Sequence, residues 1–285
     1  MNPTIKLIEC PRDAMQGWKD FIPTETKIEY INQLLKVGFD TIDFGSFVSP
    51  KAIPQMADTN EVVEKLNIEN TKTKLLAIIA NVRGARDAAE SEKISYLGFP
   101  FSISPTFQRR NANSTIEESL ERVKEIKSIC DRSGKELVIY ISMAFGNPYG
   151  DNYNETIVLE WIEKIVGEEI KIISLADTVG LAQPSQIGNL VRKVIQTFPG
   201  IETGVHLHST YFNWKEKIDA ALENGCLRFD GALKGIGGCP MAEDELVGNI
   251  DSELMIPYFK ELGFLQNINE EELLKASEIA SKIFI

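Results

Sequence analysis

Short runs of apolar, largely β-branched residues alternate along the chain with longer segments in which apolar positions recur every three to four residues. The short runs lie at 5–9, 41–44, 74–79, 94–97, 137–142, 170–175, 203–208 and 228–231. Each is too short and too uniformly apolar for a surface helix. That is the pattern of strands covered on both faces in a parallel sheet.

The segments between them read as helices. Thr24 to Lys27 leads into an apolar-periodic stretch that Gly38 closes. Shorter helices are predicted over 59–66 and 83–90. Ser114-Thr115-Ile116-Glu117 has capping-box spacing for a helix that runs to Arg132, with Gly134 as its stop. Stretches 154–165, 184–198 and 214–224 continue the series, the last ended by Gly225. Eight strand–helix steps predict a (β/α)8 TIM barrel. One domain is expected over 1–285, with 251–285 as extra C-terminal helices packed on it. Active sites of this fold sit where strands end and βα loops begin, so residues just past each strand are the ones that matter.

Charge and composition narrow the partners. A net charge of −12 over 285 residues argues against wholesale binding of nucleic acid or anionic membranes. The longest apolar stretches, such as Leu75 to Ala80, are far too short to span a bilayer. Met1-Asn2-Pro3-Thr4-Ile5-Lys6 lacks the apolar core of a signal peptide. Cys10, Cys130, Cys226 and Cys239 are scattered and form no CxxC pair, so they read as reduced thiols in a cytoplasmic protein.

The chemistry concentrates at three strand ends. His206 and His208, the only two histidines, alternate on a strand and so face one side, about 7 Å apart at Cα. Two neutral imidazoles on one face make half of a divalent-metal site. Arg12-Asp13 follows the first strand, pairing a carboxylate with a cation suited to an oxyanion. Gly235-Ile236-Gly237-Gly238-Cys239-Pro240 and then Asn249 follow the eighth. The glycines suit a mobile loop or close approach to a ligand, but no Lys-Ser/Thr follows as a phosphate loop requires. Closure makes strands one, seven and eight neighbours, so Asp13, His206, His208 and Asn249 can converge in a mixed N/O centre. Such ligands suit Mg, Mn, Co or Zn.

The chain resembles the 3-hydroxy-3-methylglutaryl-CoA lyase family, within the pyruvate carboxyltransferase-like superfamily of metal-dependent barrel lyases and synthases. The resemblance rests on Pro11-Arg12-Asp13 with Gln16, Ser46-Phe47-Val48-Ser49-Pro50-Lys51 through Pro54-Gln55-Met56, and Asn113 through Ser119. It continues with Asn147-Pro148-Tyr149, Asp177-Thr178-Val179-Gly180, the His206-Leu207-His208 pair and Gly235 through Pro240, in order along nearly the whole chain.

The resemblance implies a leucine-degradation type of carbon–carbon lyase that releases acetoacetate and acetyl-CoA. It implies Asp13, His206, His208 and Asn249 as ligands of a divalent metal, Mg or Mn foremost and Co or Zn admitted. Arg12, Asp43 and Cys239 are its catalytic residues, with Asp43 or a histidine-linked water as the base. Gln16, Lys51, Arg109, Arg110 and Asn113 are its substrate-binding residues, the cations among them meeting CoA phosphates. The expected partner is a small acyl-CoA, with no nucleic acid or membrane and a homo-oligomer admitted. The chain departs from the family pattern where Asp43 stands for a usual glutamate and Ser209 for a usual aspartate. One residue is also missing before Pro11, and one is added between Cys239 and Asn249. A related Claisen-type synthase or aldolase, or a non-catalytic metal-binding barrel, are the other readings.

Overall fold

The computed structural model describes residues 4–238, 247–265 and 267–285. Cys239 lies outside the described residues. Eight parallel strands close a barrel: β1 (Lys6–Glu9), β2 (Thr41–Phe47), β3 (Lys74–Ile79), β4 (Ile94–Ser102), β5 (Glu136–Ser142), β6 (Ile172–Ala176), β7 (Glu202–His206) and, after a two-residue strand β8 (His208–Ser209), β9 (Arg228–Gly231). The last of these pairs with both β7 and β1, which seals the ring. A two-residue strand β10 (Gly248–Asn249) lies antiparallel to β8 outside the barrel.

The helices are α1 (Pro11–Gln16), α2 (Thr24–Leu34), α3 (Thr59–Lys65), α4 (Val82–Ala89), α5 (Pro105–Ala112), α6 (Ile116–Ser133), α7 (Glu155–Gly167), α8 (Pro184–Thr197), α9 (Trp214–Leu222), α10 (Ser252–Glu261) and α11 (Glu270–Ile283). The fold is the (β/α)8 barrel that the alternation predicts. The first helix of the tail, α10, supplies the helix of the eighth βα step, its Phe259 packed 5.1 Å from Phe229 of β9. The extra helix is α11. It spans α2 and α10, accepting from Gln33 at Glu272 (2.7 Å) and donating from Ser277 to Glu253 (2.7 Å).

The core forms two layers. Outward residues such as Leu7, Phe44, Phe99 and Phe229 are buried under the helices, while Leu76, Tyr96, Val138, Tyr140 and Ile172 fill the barrel's interior, Tyr140 reaching up to the His206 ring at 6.0 Å. The interior is therefore plugged from below, and the face where the strands end is left to polar side chains.

Several local features differ from the pattern-based expectation. β2 and β4 run on to Phe47 and Ser102, because a closed barrel covers polar and glycine positions that interrupt an apolar run. The capping box of α6 sits one residue later than the spacing suggested. Thr115 and Glu118 exchange the two bonds, whereas Ser114 is buried and accepts from Gln108 at 3.0 Å. Two helices were not anticipated. α5 starts at Pro105 with Ser104 as its cap, and α1 is a turn and a half opened by Pro11.

Candidate metal centre

The short helix α1 turns the residues after β1 inward. Arg12 and Asp13 are buried, and Gln16, one turn on, donates to Asp13 Oδ1 at 2.8 Å. The expected His-x-His strand is in fact two strands. β7 ends at His206, whose carbonyl accepts from the Asp177 amide at 2.9 Å, and His208 belongs to β8. The rings still meet, edge to face with centroids 5.2 Å apart. Across the β8–β10 ladder His208 pairs in register with Asn249.

Ligating atoms of Asp13, His206 and His208 all lie within 4.8 Å of one another. Asn249 joins them, its amide nitrogen donating to Asp13 Oδ2 (2.8 Å) and to the Ile236 carbonyl (2.9 Å). The Nδ1 of each imidazole is engaged, at 3.1 Å with Asp230 Oδ2 for His206 and at 2.7 Å with the Asp177 carbonyl for His208. That leaves both Nε2 atoms for the centre. His208 Nε2 and Asn249 Oδ1 are buried with no hydrogen-bond partner among the described residues. Two orphaned lone-pair donors, a carboxylate and a second imidazole form a set suited to a divalent cation.

The electrostatics agree. Burial pushes against ionisation of Asp13, but the Arg12 guanidinium and the two imidazoles hold its carboxyl at about 2. Burial and the neighbouring His206 ring lower the pKa of His208, favouring the neutral form that offers a lone pair. Burial pulls His206 the same way, but its bond to Asp230 outweighs this and raises it.

Arg12 joins two carboxylates. Its Nη1 donates to Asp13 at 2.7 Å, while Nε and Nη2 grip Asp43 at 3.0 and 2.5 Å. Asp43, despite its shorter side chain, thus reaches the guanidinium. Burial pushes its carboxyl up to about 6 even against that cation. Cys10 lies beside His206 and Asp230, and burial raises its thiol well above the ordinary value, so it is held as a thiol.

Glycines bring the strap of residues 235–238 over the centre. Gly237 has φ +106, and a Cβ there would come within 2.5 Å of Asn249 Nδ2 and 3.0 Å of the Asp13 carbonyl. A Cβ on Gly248 would collide with the Gly235 carbonyl at 1.9 Å.

The remaining expected residues are not drawn into this cluster. Lys51 is exposed on the loop after β2; Arg109 and Arg110 are exposed in the last turn of α5, with Asn113 as its left-handed cap. Arg110 lies over the Tyr149 ring at 4.8 Å. Sequence reasoning missed Asp230 and Lys217. Asp230 alternates with Arg228 on an otherwise apolar strand, a signal of two inward polar positions. Lys217, buried on α9, looks like any helical lysine in sequence.

Residues 5–280 match the family model described as HMGL-like. The chain is 31% identical over 281 residues to a human protein named 3-hydroxy-3-methylglutaryl-CoA lyase, cytoplasmic, covering 98% of this chain and 75% of that one. It is 32% identical over 268 residues to a hydroxymethylglutaryl-CoA lyase of Bacillus subtilis, covering 94% and 89%. Among solved structures, an HMG-CoA lyase from Acinetobacter baumannii in complex with coenzyme A and 3-methylmalate superposes with a TM-score of 0.90 at 32% identity, covering 98% and 91%.

Proposed function

Because the chain belongs to the HMGL-like family, we propose that it cleaves 3-hydroxy-3-methylglutaryl-CoA to acetoacetate and acetyl-CoA, working as one barrel domain over residues 1–285 with 251–285 packed as its C-terminal helices. The observation that carries the reading is the convergence of Asp13, His206, His208 and Asn249 beside an arginine already fixed by two carboxylates. Relatives that share the fold bear the lyase name, and one was solved with coenzyme A.

Those four residues would hold a divalent cation, with Mg or Mn the foremost candidates. A bound cation there would supply Lewis acidity to the substrate's hydroxyl and a neighbouring oxygen. Asp43 receives the 3-hydroxyl proton; its carboxyl near 6 is ionised at neutral pH yet basic enough to take one. The bond between C3 and the thioester's α-carbon then breaks. Its electron pair goes to the thioester as an enolate, and C3 becomes the ketone of acetoacetate. Each terminal nitrogen of Arg12 keeps a second N–H beyond its carboxylate bond, and these stabilise the enolate oxygen. Cys239, outside the described residues, delivers the proton that turns the enolate into acetyl-CoA. Lys51, Arg109 and Arg110 meet the CoA phosphates, and Gln16 steadies Asp13. Asn113 lines the substrate's approach.

A cytoplasmic setting in leucine degradation goes with this reading, one similar protein being named cytoplasmic. A kcat/KM comparison across acyl-CoA and keto-acid substrates tests the substrate assignment. Preference for 3-hydroxy-3-methylglutaryl-CoA is expected; condensation of acetyl-CoA with a keto acid as the preferred reaction would favour the synthase reading instead.

A further inference from the structure

Both histidines present Nδ1 to an acceptor, but the acceptors differ in kind. His208 meets a backbone carbonyl, that of Asp177, at 2.7 Å. His206 meets a side chain, Asp230 Oδ2 on β9, at 3.1 Å. The Asp230 side chain has no exposed surface, and its other oxygen has no hydrogen-bond partner among the described residues. Arg228, two residues earlier on the same face, directs its bonded nitrogen away to Glu202 at 3.0 Å. Among the described residues, the imidazole is therefore the sole side-chain hydrogen bond of a buried carboxylate. Burying a carboxylate costs free energy that this hydrogen bond offsets together with the nearby Arg228 charge.

We infer that Asp230 is a positioning residue that holds His206 as its Nδ1–H tautomer and turns a bare Nε2 toward Asp13 and His208. Donation to a carboxylate fixes the ring's rotation and makes the opposite nitrogen a better donor. Ser209, the residue that follows the pair, has no carboxylate, and the one behind the pair comes from β9. The consequence for cation binding rests on the proposed metal centre. The tautomer itself is a property of the apoprotein.

With two histidines in the chain, a long-range ¹H–¹⁵N spectrum of labelled apoprotein contains two imidazole systems. At about pH 9, where ordinary imidazoles are neutral, the wild type is expected to show Nδ1–H at both. Asp230→Ala is expected to move one system to the Nε2–H form or a mixture and to leave the other unchanged. Asp230→Asn, which keeps the shape but not the charge, is the second variant. Both variants are expected to bind Co²⁺ roughly 10- to 100-fold more weakly by calorimetry. Two unchanged Nδ1–H systems in Asp230→Ala, or wild-type Co²⁺ affinity in both variants, would overturn the inference. Equal Co²⁺ affinity in the wild type and Asp13→Asn would instead overturn the metal centre, and the histidine spectrum would still decide the role of Asp230.

Discussion

Lys217 sits on α9 with 1% of its surface exposed, and its ammonium is fully engaged. It donates to Asp177 Oδ2 at 2.8 Å, to the His208 carbonyl at 2.7 Å and to the Gly180 carbonyl at 3.3 Å. Asp177 in turn takes the Ala182 amide on Oδ1 at 3.0 Å and offers its own carbonyl to His208 Nδ1. One lysine thus ties together the loop after β6 and the strand that carries His208. Lys217→Met keeps most of the volume and removes the charge, leaving Asp177 buried without a cation. Breaking a buried pair this way costs about 3–5 kcal/mol. At about 2 °C per kcal/mol for a chain of this size, the melting temperature should fall by roughly 6–10 °C. The double variant Lys217→Met/Asp177→Asn should lose less than the sum of its parts, by about 1–3 kcal/mol, because no uncompensated charge remains. Thermal and urea unfolding of all four proteins measure this. A single-variant melting temperature within about 2 °C of wild type, or strict additivity, would refute the reasoning.

Three further outcomes follow from the same geometry. Arg12→Gln should lower turnover by roughly 10²-fold or more, and should also lower stability, because Asp13 and Asp43 would remain buried without their shared cation; an inactive variant with a wild-type denaturation midpoint would contradict the buried-pair account. Gly237→Ala should weaken Mn²⁺ binding, since its left-handed backbone and the contact with Asn249 both forbid a methyl; unchanged affinity by calorimetry would show that the strap yields freely. Glu9, held by the Ser252 hydroxyl and the Leu233 amide, is pushed by burial from 4.5 up to about 8. Across that window the native state binds more protons than the unfolded chain, so Glu9 lowers stability as pH rises, by up to about 1.4 kcal/mol per unit. Glu9→Gln, which cannot ionise, should therefore gain melting temperature relative to wild type between about pH 5 and pH 9; a constant difference across that range would contradict it.

The barrel was readable because its eight runs are covered on both faces and each is followed by an amphipathic helix, a pattern that few folds produce. What the pattern could not reveal was where an apolar rule stops applying. The ends of β2 and β4 carry Ser46 and Ser102, polar residues buried by closure of the ring. Helix α1 is only six residues long, too short for any periodicity, yet it aims Arg12, Asp13 and Gln16. The histidine pair was legible as a pair, but not the break at Leu207 that moves His208 onto a different ladder facing Asn249. Asp230 and Lys217 were hidden for opposite reasons. One is an acid inside a strand whose partner lies 24 residues away, and the other is a helical lysine whose burial depends wholly on what packs over it.

The central claim is that the centre built from Asp13, His206, His208 and Asn249 makes this chain a metal-dependent lyase. Chelator-stripped protein should be assayed for acetoacetate and acetyl-CoA from 3-hydroxy-3-methylglutaryl-CoA before and after addition of Mg²⁺, Mn²⁺, Co²⁺ or Zn²⁺. The account predicts negligible release by the stripped protein and equimolar release of both products once a cation is restored, an effect abolished in Asp13→Asn. Undiminished release by the stripped protein, or none with any of the four cations, would contradict it.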